Sequence, residues 1–459
     1  MKKKTRHYQK SENIIVRTKE DFSGHKAAMK FLNSAFFKTT ALDTTDEKNS
    51  YLDTIDFKPE EPSIVSSVEG KMSKIFLTIP KYAILDQNNN PYWNAYSDLI
   101  LQLPEYTNFF IMTHEAVENE LKDWLEANNI IDRATVQSLP NHLHFSVWAE
   151  DGHAITKDAN GSTFFAQPFS FPRYADGLLA RYASNVSDFE NYPAPLYFQG
   201  GNILIGDNFF FIGADYPKNS LDYVGKVIIP ENGESDEALI KRLYKTYLDT
   251  SKELYYVGSQ IPVPSQRTER ITVDGDPNWH QLLYFGNKEG TVQPLFHIDM
   301  FISLAGRNAA GKYQILVGDP KMAAELINFP ESLKYAMVNV FDNIAAQLSR
   351  NPDFEVIRNP LPLVYIDDES KKERVWYFAT SNNCLVENTK HNKTVWLPTY
   401  GHGNWKRLVR TDLANAKIWQ RLGYKVKMLE DFHPFTENLG AVHCISKYLE
   451  RGAEKPIVS

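Results

Sequence analysis

The sequence predicts an α/β protein assembled from strand-rich αβ modules, and three observations carry that expectation. Short apolar runs recur along most of the chain, amphipathic helical stretches fall between them, and the runs outnumber the helices. The order of elements repeats although no stretch of sequence does, which suits a radial or layered αβ architecture.

Taken in order, residues 1 to 70 are mixed and polar, and Pro59 and Pro62 flank Glu60-Glu61 in a stretch that reads as a connector. They are expected to form an N-terminal extension ahead of one main domain, 71–459. The first unit of that domain has strands at 75–79 and 108–112 around a helix at 93–103. A helix at 114–128 follows, with Ala116, Leu121, Trp124 and Leu125 at helical spacing, and then strands at 134–139 and 143–148. Extended segments at 196–198 and 203–212 lead to an amphipathic helix at 237–248 and a strand at 254–257. Strands at 282–285, 295–304 and 313–317 precede the longest helix, 331–350, whose Leu333, Met337, Val340, Ile344 and Leu348 form an apolar stripe. Strands at 354–357, 363–366, 375–379, 384–386 and 394–397, a helix at 412–422 and a strand at 424–429 complete the pattern.

Composition narrows the function. Apolar content of 42% with 23% charged residues is ordinary for a globular protein, and no window approaches the roughly 18 uninterrupted apolar residues of a membrane helix. The basic start at Lys2-Lys3-Lys4 runs into polar residues where a signal peptide would turn apolar, so a cytoplasmic protein without a membrane partner is expected. A formal charge of -7 argues against a nucleic-acid partner and is compatible with a cationic substrate. Two cysteines, Cys384 and Cys444, are too few for a disulfide framework and lack zinc-site spacing, so no cofactor or metal is expected. The run from Gly306 to Lys312 fits G-x-x-x-x-G-K, but Tyr313 stands where Mg²⁺ binding needs Ser or Thr, a strand follows instead of a helix, and a hairpin loop accounts for it. His142 and His144 read as part of an aromatic-rich strand end rather than a metal pair.

Four segments can carry chemistry. Asn438-Leu439-Gly440-Ala441-Val442-His443-Cys444 places a cysteine after a glycine-containing turn, either a small buried hydrophobe or a nucleophile whose thiolate a nearby cation would stabilise. His297 and Asp299 fall on one face of the strand expected at 295–304, as a satisfied buried pair, an edge-strand face or a reactive pair. Trp148-Ala149-Glu150-Asp151-Gly152 ends a strand, and Gln199-Gly200-Gly201-Asn202 opens another, where adjacent glycines permit unusual φ values or close backbone approach.

In this order and at these spacings the four segments resemble the markers of the guanidine-modifying superfamily, which includes agmatine, arginine and peptidylarginine deiminases and amidinotransferases. Trp148 to Gly152 is similar to the Trp and Arg-Asp segment of agmatine deiminases, with Glu150 where Arg is usual. Gln199-Gly200-Gly201-Asn202 is similar to their Glu-Gly-Gly stretch, with Gln199 for Glu, and Leu439 to Cys444 is close to the Gly-rich His-Cys segment. The Trp-Gly-Gly-Lys segment has no counterpart; its approximate place holds Phe171 to Gly177, which makes Asp176 an alternative to Asp151 as the upstream carboxylate.

The resemblance implies a pseudo-fivefold αβ propeller with the site at its centre. It also implies a deiminase that hydrolyses a guanidino group to a ureido product and ammonia. Cys444 would attack the guanidinium carbon, His297 would move protons, and Asp151 and Asp299 would hold the guanidinium, with Gly201 and Asn202 beside it. The partner would be a small guanidino compound or an arginine-containing peptide. An amidinotransferase, in which an amine replaces water, and a non-catalytic guanidine-binding protein are the alternatives.

Overall fold

Among the described residues, apolar runs too short to make helices pair into six small sheets of three or four strands. The computed structural model describes residues 58–452 apart from 88, 170 and 225–232. Five of the sheets repeat one pattern: a first strand antiparallel to a second, which is parallel to a third reached through helix. Ala154–Lys157, Thr163–Pro168 and Glu190–Ala194 form one such unit, with helix Tyr174–Asn185 in the crossover. Ile203–Ile205, Phe209–Gly213 and Glu253–Val257 form the next. Ile302–Arg307, Tyr313–Asp319 and Phe354–Pro360 form another, and Leu385–Asn388, Lys393–Thr399 and Lys425–Asp431 the one after.

The remaining unit joins the two ends of the fold. Lys71–Ile79 runs parallel to Asn108–His114 and antiparallel to Ser446–Gly452, so the strand that follows Cys444 is held by the strand near the start. The sixth sheet, Arg267–Val273, Asp276–Leu283, Glu373–Phe378 and Leu363–Asp368, is an excursion between units.

Local chemistry explains the elements. Phe209–Gly213 is buried along its whole length, as a central strand covered on both faces requires. Helix Pro91–Gln102 starts at Asn90, whose side chain accepts from the Tyr92 and Trp93 amides while Pro91 gives up an amide that would be unpaired anyway. Asp319 caps Pro320–Ile327 in the same way.

The structure corrects several expectations. The 143–148 segment has the expected alternation, with Leu143, Phe145 and Val147 buried, yet it joins no ladder. Its amides go to side chains and local turns instead: Ser146 N donates to Asp176, Val147 N to the Tyr82 hydroxyl and Trp148 N to Ser146 Oγ, while Leu143 N and Phe145 N donate to the Pro140 and Leu143 carbonyls. The helix expected at 331–350 divides into the 3₁₀ turn Pro330–Lys334 and helix Val338–Leu348, with Met337 in the left-handed region at φ 50° between them. The 203–212 segment is two strands of a hairpin, and 295–304 is a strand only from Ile302. Gly306 to Lys312 is the turn joining two antiparallel strands.

Of the segment expected to precede the main domain, residues 1–57 lie outside the described residues. The rest is tied in: Ser63–Ile64 pairs with Ala154–Lys157, Val65 N donates to Ile155 O, and Ser67 N donates to Ile205 O. No helix among the described residues is long and apolar enough to cross a membrane.

Candidate active site

The five repeated units place the chemistry by one rule: each contributes the segment that leads into its first strand. Asp151 precedes Ala154–Lys157, Gly200-Gly201-Asn202 precedes Ile203–Ile205, and His297 to Asp299 precede Ile302–Arg307. Asn383 precedes Leu385–Asn388, and His443-Cys444 precede Ser446–Gly452. Residues far apart in sequence are thereby brought to one buried cluster.

Cys444 is buried, and its Sγ lies 3.5 Å from Asp299 Oδ2 and 3.1 Å from Asn383 Nδ2. The Asn383 carbonyl oxygen in turn accepts from the backbone N–H of His443 at 2.9 Å and of Cys444 at 3.2 Å, so one amide side chain fixes the thiol loop and donates to the sulfur. The same Asp299 Oδ2 is 2.9 Å from His443 Nδ1. Burial, followed by the negative charges of Asp299 and Asp151, pushes the Cys444 thiol well above its ordinary range. Burial lowers His443, but the facing Glu150 and Asp299 carboxylates outweigh it and leave that imidazole above its ordinary value.

His297 does not sit in a strand. It is the extended residue ahead of the 3₁₀ turn Ile298–Met300, so His297 and Asp299 reach the cluster through a turn and not through strand alternation. The His297 ring stacks on Phe296 at a centroid distance of 4.0 Å, its Nε2 meets Gln199 Oε1 at 3.0 Å, and its Nδ1 faces Asp151 Oδ1 at 3.6 Å. Burial holds this imidazole below its ordinary value against the pull of Asp151 and Asp299.

Neither Gly200 nor Gly201 has a positive φ; what the second needs is closeness. A Cβ on Gly201 would fall 2.5 Å from His297 Nδ1 and 3.0 Å from Asp299 Oδ2, in the middle of the cluster. Asn202, expected beside a substrate, is engaged elsewhere. Its amide pairs with Gln293 and accepts from Ile298 N at 3.0 Å, and so holds the His297–Asp299 turn.

The two upstream carboxylates differ. Asp176 is saturated: it accepts from Ser146 N and Oγ and from Arg173 Nε. Asp151 has one oxygen bonded to Arg173 Nη2 at 2.6 Å and the other, Oδ1, buried with no hydrogen-bond partner. Asp299 Oδ1 is likewise buried and unpartnered. Arg173 is the extended residue that leads into helix Tyr174–Asn185.

Sequence reasoning also passed over Asn383, His443 as an acting group, and Lys447. Lys447 Nζ pairs with the buried Glu150 at 2.6 Å. The signal available for Asn383 was the polar run Thr380-Ser381-Asn382-Asn383 directly ahead of an apolar strand, all four of them buried. Among the described residues no group of three or more His, Cys, Asp or Glu is placed to hold a metal ion.

The fold is a mixed α/β arrangement of several small sheets. It is shared with a provisionally assigned agmatine deiminase at TM-score 0.58 and 12% identity, over 86% of this chain and 97% of that one. It is shared also with a provisionally assigned peptidyl-arginine deiminase at TM-score 0.55 and 14% identity, over 86% and 100%. The agmatine deiminase of C. jejuni aligns at TM-score 0.53 and 11% identity, over 86% and 97%. No family model matches the sequence, and no curated protein matches it. At such identities the likeness is one of fold.

Proposed function

We propose that the protein is a deiminase that hydrolyses a guanidino group to a ureido group and ammonia through a covalent adduct on Cys444. The observation that carries this reading is the pair of buried, unpartnered carboxylate oxygens, Asp151 Oδ1 and Asp299 Oδ1, on the two carboxylates whose charge bears on one buried thiol. Buried acceptors without donors are costly, and a guanidinium supplies planar N–H donors in the geometry that carboxylates accept. Five repeated units, one of whose sheets joins Lys71–Ile79 to Ser446–Gly452, support the closed, pseudo-fivefold propeller proposed with it.

The chemistry follows from the charges. Burial and then the Asp299 and Asp151 carboxylates raise the thiol's pKa, so a bound cation that offsets the carboxylates lowers it where ionisation is needed. The thiol proton passes to His297, which burial keeps neutral and ready to accept it. The thiolate forms a C–S bond at the guanidinium carbon, His297 gives its proton to one nitrogen, and ammonia leaves with the C–N bond pair. Water then adds to the thiouronium carbon as His297 takes its proton, and collapse to the ureido product breaks the C–S bond and returns the sulfur.

The test is turnover of a guanidino panel in ¹⁸O water without added amine. Label in the ureido oxygen with equimolar ammonia is expected. Turnover that appears only when an acceptor amine is supplied would replace hydrolysis by amidino transfer.

A further inference from the structure

Next to the thiol loop lies a narrow, solvent-open cleft walled by apolar and aromatic side chains. We propose that this cleft holds the far end of the substrate, and that the substrates are guanidino compounds with an uncharged aryl or alkyl tail, not amino-acid or amine ends. The proposal rests on the guanidine reading above for the head group.

Contacts of its wall residues tie the cleft to the site. Phe296, in its wall, stacks on His297. Met300, also in the wall, has its sulfur 3.7 Å from the Asn383 Nδ2 that donates to Cys444. Leu439 closes a third side immediately before Gly440, where any side chain would overlap Trp148.

The chemistry of the walls selects the tail. None of the lining residues is Asp, Glu, Lys, Arg or His. An ammonium or α-carboxylate buried there would be desolvated without a partner, a penalty that an aryl or alkyl group escapes. The polar ends of the aromatic walls are already used. Tyr335 Oη accepts from Gln281 and Trp376 Nε1 donates to it, at 2.9 and 3.1 Å, and Tyr377 Oη meets His433 Nδ1 at 2.7 Å. What these residues offer a ligand is ring surface. The charges at these rings are of both signs: Arg267, 5.2 Å from the Tyr284 centroid, is paired with Glu269 at 2.9 Å, and Lys334 lies 5.0 Å from the Tyr335 centroid.

The backbone is also built for the cleft. Tyr284, Met337 and Leu439 are non-glycine residues at φ 56°, 50° and 68°, and all three are in its walls. Left-handed conformations in bulky residues are unfavourable and persist where surrounding structure enforces them, as it does at binding sites.

The experiment compares (4-phenylbutyl)guanidine, butylguanidine, agmatine and arginine as substrates by ureido product. It also measures binding of the same compounds to Cys444→Ala by calorimetry. The phenyl compound is expected to exceed agmatine and arginine in kcat/KM by at least about tenfold. Trp376→Ala should raise its KM about tenfold. Met337→Glu, which sets a carboxylate among the rings, should shift the preference towards agmatine. Agmatine or arginine turned over as well as the phenyl compound would overturn the tail assignment while the deiminase reading stands. Tighter binding of the phenyl compound to Cys444→Ala, with no turnover by the intact protein, would leave the cleft assignment standing and remove the reaction. Neither binding nor turnover of any compound would overturn both.

Discussion

Arg173 places its Nη2 2.6 Å from Asp151 Oδ2, so the carboxylate offered to a substrate guanidinium already carries a guanidinium of the chain itself on its other oxygen. Arg173 also bonds Asp176 at 2.6 Å and thereby ties the two carboxylates into one orientation, with Asp151 Oδ1 turned to His297. The side chain is 30% exposed, so its removal is expected to cost about 2 kcal/mol of stability, short of what a fully buried pair would lose. Arg173→Gln should therefore raise the KM for a guanidino substrate about tenfold and lower the melting temperature, and Arg173→Lys should recover part of both. Steady-state kinetics with thermal melts decides it. An unchanged KM would mean that Asp151 needs no such tether.

Cys444 and Cys384 are both buried, but it is the Cys444 sulfur that lies 3.5 Å from Asp299 Oδ2. Cys384 sits against Ser303, and burial pushes its thiol up to about 12. Cys444→Ala should abolish ureido formation with the melting temperature kept, and Cys384→Ala should leave turnover near wild type. A cationic alkylating amidine should inactivate the protein at least about tenfold faster than iodoacetamide at the same pH. The reason is that its charge offsets Asp151 and Asp299 as the thiol ionises. Equal rates would contradict ligand-assisted ionisation. Mass spectrometry locates the adduct.

How much of this was legible in the sequence depends on which contact carried the information. Cys444, His297, Asp299, Asp151 and Gly201 stand in recognisable segments, and the structure brings all five together. His297 and Asp299 were placed on one strand face by period-two alternation, whereas a 3₁₀ turn presents them, because apolar alternation does not distinguish a strand from a buried turn whose amides are bonded by side chains. Segment 143–148 misleads for the same reason. Asn383, Arg173 and Lys447 act through partners that are respectively 61, 22 and 297 positions away, and no local pattern reports such pairings. The cleft is assembled from the excursion sheet and the turn at Met337, both of which depend on tertiary contacts.

His443 links protonation to stability. Its folded-state value lies above the ordinary histidine value of about 6.5, with Glu150 and Asp299 the favourable partners once burial has been overcome. The stabilisation is therefore fully present below about pH 6.5 and is lost as pH rises through the folded value. His297 is shifted down, and it contributes with the opposite sign, stability falling as pH drops below about 6.5. The melting-temperature difference between wild type and His443→Gln should be larger at pH 6 than at pH 9, and that for His297→Gln should shrink or reverse as the pH falls. Thermal melts across that range test both signs.

The Glu150–Lys447 pair gives the last prediction. Both side chains are buried, Nζ and Oε1 are 2.6 Å apart, and Lys447 Nζ is within 3.3 Å of the Glu150 carbonyl as well. Removing one member strands the other charge in the interior, so Lys447→Met or Glu150→Gln alone should cost about 3–5 kcal/mol, while the double variant should come within about 1 kcal/mol of wild type. Titration separates the members where stability does not. Glu150 raises the His443 imidazole and Lys447 lowers it, so Glu150→Gln should move the His443 titration to lower pH and Lys447→Met to higher pH. Chemical denaturation together with NMR titration of the His443 ring reads both effects. If the two single variants moved that titration in the same direction, the pair would be acting on His443 through structure alone and not through the charge it presents.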